Sequence, residues 1–145
     1  MTTAAEALEQ ANALYAAMPI IRKFVSESQI QAMAEGANGE EREFFIEKML
    51  NIAATFRTMP KTYEQDGKGD NAVAHLHYFR GGMDWYITEK DKGDGPDDAR
   101  QIQAFGLSDL GYGGELGYIS IEELIENGIE LDLFWTPKTL AEVKA

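Results

Sequence analysis

The period of the hydrophobic pattern changes once along this chain, and that change limits the folds it can adopt. Up to about residue 60, apolar side chains recur every three or four positions, which is typical of helices that bury one face. Over residues 72–79 the sequence AVAHLHYF alternates between two sets of side chains, which is typical of a strand. Helices followed by strands predict an α+β protein with a mainly antiparallel sheet, because no regular alternation of strand and helix is present.

The helical part is predicted to contain three helices. The capping-box sequence TAAE at residues 3–6 predicts the start of the first helix, and Pro19 is expected to interrupt it. A second helix is predicted over residues 28–35. The third is expected to begin at the capping box NGEE, residues 38–41, and to end before Pro60.

An apolar stripe on the third helix is the expected cover for the sheet. Phe45, Met49, Ile52 and Phe56 follow one another at helical spacing, so they lie on one side of the cylinder. The sheet needs such a cover because its apolar face must be buried against another element.

The polar stretch KTYEQDGKGDN, residues 61–71, is the expected boundary between the two parts of the chain. Residues 1–60 are predicted to form a helical segment that packs on the sheet, and residues 72–145 a β-rich part. Together the two are expected to form one compact domain.

The β-rich part is predicted to contain about five strands and short C-terminal helices. The turn RGGM joins the first two strands as a hairpin. Ser120 is predicted to start a short helix that Gly128 ends, and Pro137 to lie in the first turn of a last helix. The predicted strands are residues 72–79, 84–89, 102–107, 115–120 and 129–135.

The charge of the chain excludes several classes of partner. Thirteen Lys and Arg residues against twenty-five Asp and Glu residues give a formal net charge of −12. Such a surface repels phosphate backbones and anionic lipid, so we expect neither direct nucleic-acid binding nor membrane binding. The same charge attracts basic protein partners.

The chain contains no cysteine, which excludes disulfides, thiolate metal sites and cysteine nucleophiles. The acidic, polar start MTTAAEALEQ does not have the pattern of a secretory signal or a transit peptide. Both features favour a cytoplasmic protein.

His75 and His77 are the candidate metal ligands. On a regular strand, residues two apart point the same way, so the two imidazoles are expected to be neighbours that could bind Zn or Mn. The missing ligands would have to be carboxylates, with Glu89, Asp91 and Glu115 as candidates. The competing interpretation is a polar stripe beside Phe79 without any metal.

The aromatic side chains of the β-rich part exceed what one face of a small sheet must hide. Some are expected on the second face, where Trp and Tyr serve as anchors of protein interfaces. An aromatic cluster ringed by acidic residues predicts a protein-binding surface. The candidate binding residues are Tyr78, Trp85, Tyr86, Glu89, Asp91, Glu115 and Tyr118.

Four segments of the β-rich part, HLHYFRGGMDWYITEKD, QAFGL, ELGYISIEEL and GIELDLFWTPKTLAEV, occur in this order over residues 72–143. In their phrasing and spacing they resemble a family of small proteins, classed as a domain of unknown function, that phages, plasmids and other mobile elements encode. The resemblance implies an accessory protein of a mobile element, and it carries over no catalytic residue.

The sequence therefore favours a non-enzymatic, acidic, cytoplasmic accessory protein that acts by protein–protein binding, as a monomer or a homodimer. An inhibitor of a basic, nucleic-acid-binding defence protein of the host is the more specific hypothesis. The alternative is a small metal-dependent enzyme that uses His75, His77 and nearby carboxylates.

Overall fold

The computed structural model of the chain describes residues 3–36, 39–93 and 100–145. Three helices come first, and two short helices follow in the second half of the chain. They are α1 (Ala4–Phe24), α2 (Glu27–Gly36), α3 (Arg42–Thr58), α4 (Ile121–Glu126) and α5 (Leu140–Lys144).

Five strands form one antiparallel sheet with the order β5-β4-β3-β2-β6, and β1 and β7 form a separate antiparallel pair. The α+β prediction with N-terminal helices and a five-stranded antiparallel sheet is confirmed. The strands are β1 (Val73–Ala74), β2 (Leu76–Arg80), β3 (Met83–Glu89), β4 (Ala104–Asp109), β5 (Gly114–Ile119), β6 (Glu130–Leu131) and β7 (Lys138–Thr139).

The first core lies between one face of this sheet and the helices α1 and α3. Phe24 of α1 and Phe56 of α3 are buried with their rings stacked, the centroids 4.3 Å apart. The hydroxyl of the buried Tyr78 donates to the carbonyl oxygen of Phe24 at 2.5 Å. The sheet is thereby bound to the end of the first helix by packing and by a hydrogen bond.

The buried line on α3 differs from the predicted stripe. Ile46, Met49, Ala53 and Phe56 are the buried side chains of this helix, whereas Phe45 and Ile52 are only half-buried. The prediction was thus right for two of its four residues. Ala53 belongs to the buried line because its small side chain lets α1 and α3 pack closely. The prediction missed Ala53 because it followed the spacing of large apolar residues.

The expected interruption at Pro19 is wrong, because α1 continues to Phe24. Proline removes the hydrogen bond to the carbonyl four residues earlier, that of Tyr15. Tyr15 is strongly exposed, so water can reach this turn of the helix. Beyond the proline, Ile21 and Phe24 are buried in the first core and hold the last turns in place.

Helix starts were predicted well where the cap is local. Thr3 Oγ1 accepts from the backbone N–H of Glu6, and Ser120 Oγ accepts from that of Glu123, each at 3.1 Å. The third predicted cap involves Asn38, which lies outside the described residues, and α3 itself begins at Arg42.

The predicted fifth strand, residues 129–135, is shorter than expected, because β6 ends at Leu131. The next residue, Asp132, makes a turn in which its carboxylate accepts from the backbone N–H of Phe134 at 3.0 Å. The last helix also starts later than Pro137: Thr139 caps α5 in a reciprocal capping box with Glu142.

The edge of the sheet at β6 is closed by a side chain. The amide of Gln29, in α2, donates to the carbonyl oxygen of Leu131 at 2.7 Å and accepts from the N–H of Leu131 at 2.8 Å. Because an amide side chain carries the same donor and acceptor as a peptide group, Gln29 takes the place of a neighbouring strand.

A second, smaller core lies on the other face of the sheet. The C-terminal segment covers it with Leu140 buried and Trp135 and Val143 half-buried, against Leu107 of β4 and the buried Ala74. Residues 61–71 also pack against the sheet near this face, so the polar stretch is a docked segment rather than an open linker. Lys90 at the end of β3 joins the layers, since its Nζ donates to the carbonyl oxygens of Phe56 and Arg57.

Candidate binding surface and its cleft

Two of the predicted binding residues lie in the first core. Tyr78 is fully buried, and Trp85 is buried in the same cluster. Their expected place on an accessible surface is therefore corrected. Tyr78 and Trp85 pair across β2 and β3, so both point to the helix-covered face of the sheet. Aromatic content alone could not assign a face, because either face of this hairpin carries aromatic side chains.

Glu89 is buried as well, with 4% of its surface exposed, and its carboxylate organises the polar segment 61–71. One oxygen accepts from the backbone N–H of Tyr63 at 3.0 Å, and the other from that of Gln65 at 2.5 Å. Tyr63 has a φ of 79°, a left-handed conformation that is costly for a residue with a bulky side chain. The bonds to Glu89 help to hold this strained residue in place.

The side chain of Gln65 ties the same segment to two strands. Its carbonyl oxygen accepts from the N–H of Val73 at 2.8 Å, and its amide donates to the carbonyl oxygens of Val73 and Thr88. Both ends of this buried amide are satisfied, so residues 61–71 have a fixed position over the sheet.

Asp91 closes a loop and does not join the other candidates. Its carboxylate accepts from the backbone N–H groups of Gly93 and Gln103 at 2.9 Å, and from that of Ile102 at 3.3 Å. With these three bonds Asp91 holds Gly93, which follows β3, next to residues 102–103, which precede β4. Its predicted binding role stays a prediction.

His77 lies between two carboxylates on the second face. Its Nε2 is 2.7 Å from Asp84 Oδ1, and its Nδ1 is 3.0 Å from Asp132 Oδ2. The ring stacks on Tyr86, with centroids 4.7 Å apart, and contacts Trp135. This cluster joins β2, β3 and the turn after β6. The pKa of Tyr86 is raised by burial and by the negative charges of Asp84 and Asp109.

The predicted metal site at His75 and His77 rests on a regular strand, and the strand is interrupted at His75. Ala74 belongs to the second core and Leu76 to the first, so the alternation of faces does not pass through His75. A metal ion at His77 would have to displace one of the two aspartates from its ring. Within residues 3–36, 39–93 and 100–145, no three His, Asp or Glu side chains are grouped to hold a metal ion. The Zn or Mn site stays a prediction.

The half-buried His75 is expected to make the protein less stable in mild acid. Burial lowers its pKa from the usual value of 6.5, so the unfolded chain binds this proton more readily than the folded chain. The penalty is absent above about pH 7 and grows as the pH falls below 6.5. Urea unfolding at about pH 7.5 and about pH 5.5 should show a larger loss for the natural chain than for His75→Gln. Equal losses in the two proteins would contradict it.

A cleft with a volume of about 530 Å³ lies between residues 61–72 and the second face of the sheet. The hydroxyl groups of Tyr63 and Tyr118 meet across it at 2.6 Å. The volume falls in the range of small-ligand pockets, and the lining combines aromatic and apolar surface with a few polar groups. The lining includes Tyr63, Asp66, Glu89, Phe105, Leu116 and Tyr118.

Two carboxylates, those of Asp66 and Glu89, line the cleft. The pKa of Tyr118 is raised first by its hydrogen bond with Tyr63, then by desolvation, and also by the charges of Asp66 and Glu89. The negative charges of both carboxylates thus oppose ionisation of the Tyr118 phenol. A positively charged group would be attracted to the same place.

β5 forms the open edge of the five-stranded sheet next to this cleft. Among the residues that the structure describes, it has one strand neighbour, β4, so every second residue directs its N–H and C=O away from the sheet. Leu116 and Tyr118 are 47% and 55% exposed, and Glu115, directly before Leu116, is exposed as well. The predicted residues Glu115 and Tyr118 therefore lie on one accessible strand, with their side chains on opposite faces of it.

The structure adds Tyr63 and Leu116 to the predicted residues of this surface. Tyr63 gives no signal in the sequence, because its place depends on Glu89, which follows 26 residues later. Leu116 could have been predicted from the sequence, since residues two apart on a strand point to the same face and Leu116 lies two residues before Tyr118.

Comparisons with models of protein families, with curated proteins and with solved structures found no match for this chain. None of the described helices is long and apolar enough to cross a membrane.

Proposed function

We propose that this chain is a protein-binding protein that adds an extended, basic segment of its partner to the open edge of β5. The observation that carries the proposal is this edge, where the described part of the chain provides no second strand neighbour and the side chains of Leu116 and Tyr118 are exposed. An exposed edge is a ready template for another strand, and main-chain hydrogen bonds supply the affinity.

The charge of the chain supports a basic partner. A net charge of −12 steers positively charged segments toward the protein, and Glu115 adds a carboxylate on the edge strand itself. Two copies of the chain would repel each other, so the same charge disfavours self-association through β5. Binding is therefore expected to weaken as salt is added.

The biological setting belongs to the same proposal. The resemblance over residues 72–143 supports an accessory protein of a mobile element that acts in the cytoplasm. Proteins that bind nucleic acid carry basic segments, so a nucleic-acid-binding defence protein of the host fits the charge that the edge requires.

The test uses labelled peptides of about eight residues, the length of a strand, in which Lys alternates with Val, and a matched series with Glu in place of Lys. Fluorescence anisotropy measures binding at low and high salt, and amide exchange locates it. We expect the Lys series alone to bind, to slow exchange in Gly114–Ile119, and to weaken at high salt. Equal binding of the Glu series, or protection elsewhere, would refute the proposal. A sedimentation mass of twice the monomer would instead assign the edge to a second copy.

Leu116→Lys is expected to weaken binding of the Lys peptide by about tenfold or more, about 1.4 kcal/mol. The substitution removes apolar contact and places like charges on adjacent strands, which is unfavourable. Leu8→Lys is the matched control, because Leu8 is also an exposed leucine but lies on α1, and the change in net charge is the same. If both variants lose affinity equally, general charge rather than the β5 edge explains the binding.

A further inference from the structure

We propose that the cleft between Tyr63 and Tyr118 is a specificity pocket for the alkylammonium group of a lysine in the bound partner segment. The inference rests on the proposed function, because it takes the edge of β5 as the place where that segment lies. It adds to that function a chemical class for one side chain of the partner, and a pocket that selects it.

The backbone of Tyr63 has an unfavourable conformation. Its φ of 79° is strained for a tyrosine, and strained residues persist only where their surroundings hold them. Glu89 of β3 accepts from the N–H of Tyr63, and Gln65 binds the same segment to Thr88 of β3. The result is an aromatic ring placed on the wall of the cleft, with its hydroxyl bound to Tyr118. A glycine would meet the backbone requirement without strain, but it would not supply the ring.

A buried carboxylate, that of Glu89, forms part of the lining of the cleft. Glu89 is almost fully buried, and its two oxygens each accept one backbone N–H, which leaves further acceptor capacity on each oxygen. No salt bridge to Glu89 is found among the residues that the structure describes. Asp66, at the exposed side, adds a second negative charge to the lining. An ammonium group can donate to Glu89 and offset both charges.

Three aromatic rings, those of Tyr63, Phe105 and Tyr118, line the cleft. Phe105 and Tyr118 meet edge to face, with ring centroids 5.8 Å apart, and Tyr63 stands opposite. Aromatic faces attract ammonium groups within about 6 Å of the ring centroid. Within this chain the ammonium of Lys92 already lies 5.6 Å from the centroid of the Tyr63 ring. The ring is thus already in contact with one ammonium group, and a lysine of the partner would have to share it with Lys92 or displace Lys92.

The edge strand β5 and the cleft share two side chains. Leu116 and Tyr118 belong to the edge strand and also line the cleft. A strand added to β5 would lie about 4.8 Å away, with alternate side chains on the face that carries the cleft. A lysine on that face has a flexible stem long enough to pass Leu116 and place its ammonium among the aromatic rings.

The test compares Lys peptides in which a single lysine is replaced by norleucine, which keeps the stem and removes the charge, or by arginine. We expect the replacement by norleucine at one position to weaken binding to the natural protein by about tenfold, and the others to have little effect. Glu89→Gln should remove this difference between lysine and norleucine, while the control Glu47→Gln, at an exposed carboxylate of α3 away from β5, should keep it. Amide exchange of Gly114–Ile119 reports separately whether the peptide still lies on the edge.

The outcomes separate the pocket from the edge. If lysine and norleucine peptides bind equally while β5 remains protected, the pocket is refuted and the proposed function stands. If arginine binds as well as lysine at the sensitive position, the alkylammonium assignment is refuted. If no peptide binds but n-butylammonium shifts the amide resonances of Tyr63 and Gln65, the cleft takes a free amine and the lysine of a partner is refuted. The peptide replacement uses the natural protein, so a misfolded Glu89→Gln variant leaves the test intact.

Discussion

Replacing Gly106 by Ala is expected to lower the free energy of unfolding by about 3 kcal/mol or more, at or above the upper end of the range for overpacking. Gly106 pairs with Ile87 of β3, next to the register shift between Ile87 and Glu89. A Cβ at this position would overlap the carbonyl oxygen of Tyr86 and lie 3.0 Å from the Cα of Ile87. Both neighbours are backbone, so no rotamer change can relieve the overlap and β3 and β4 must separate.

Gly117→Ala is the matched control for this substitution. Gly117 is the direct partner of Gly106 on β5, yet a Cβ there would meet nothing within 4 Å. We expect a change within about 0.5 kcal/mol, or a small gain from the reduced freedom of the unfolded chain. Urea unfolding followed by circular dichroism measures both variants. If Gly106→Ala is as stable as Gly117→Ala, the close approach of β3 and β4 described above is wrong.

Phe56→Ala is expected to lower the free energy of unfolding by about 3–5 kcal/mol, the range for truncation of a buried phenylalanine. Phe56 is fully buried and stacks on Phe24, so its loss opens a cavity where the two long helices meet the sheet. A domain of this size is stable by about 5–15 kcal/mol, so the variant should be partly unfolded at moderate temperature.

Phe44→Ala is the control on the same helix. Phe44 is half-exposed, and the same truncation there should change stability by less than about 1 kcal/mol. Thermal and urea unfolding of both variants test the assignment of the buried face of α3. A larger loss for Phe44→Ala than for Phe56→Ala would mean that the helix is rotated about its axis relative to the structure described here.

The features that could be predicted from the sequence are those whose parts lie close together in the chain. The caps at Thr3 and Ser120 join residues three apart, and the hairpin turn places Gly81 at a positive φ of 56°. The class of the fold followed from the change of hydrophobic period, which is likewise a local property repeated over many residues.

The features that could not be predicted depend on residues far apart in the chain. α1 continues through Pro19 because Ile21 and Phe24 are anchored in the first core. The chain turns after β6 where Asp132 meets His77, 55 residues earlier. The local pattern at 129–135 is that of a strand, but the strand ends where Asp132 makes a turn with Phe134 and meets the histidine of β2.

The candidate surface shows the same division. Glu115 and Tyr118 could be assigned to a strand by alternation, and that strand proved to be the accessible edge. Tyr78 and Trp85 have the same aromatic character but lie on the face of the sheet that α1 and α3 cover. A single sequence does not say which face is covered, so it cannot separate interface aromatics from core aromatics.

The side chain of Gln29 on β6 limits how many partners the sheet can take. Because an amide from its own helix pairs with β6, the five-stranded sheet has one free edge in the described part of the chain, at β5. A sheet with two free edges could polymerise without limit, as edge-to-edge aggregates do. A sheet with one free edge pairs with a single added strand, so the growth of this sheet ends after one association.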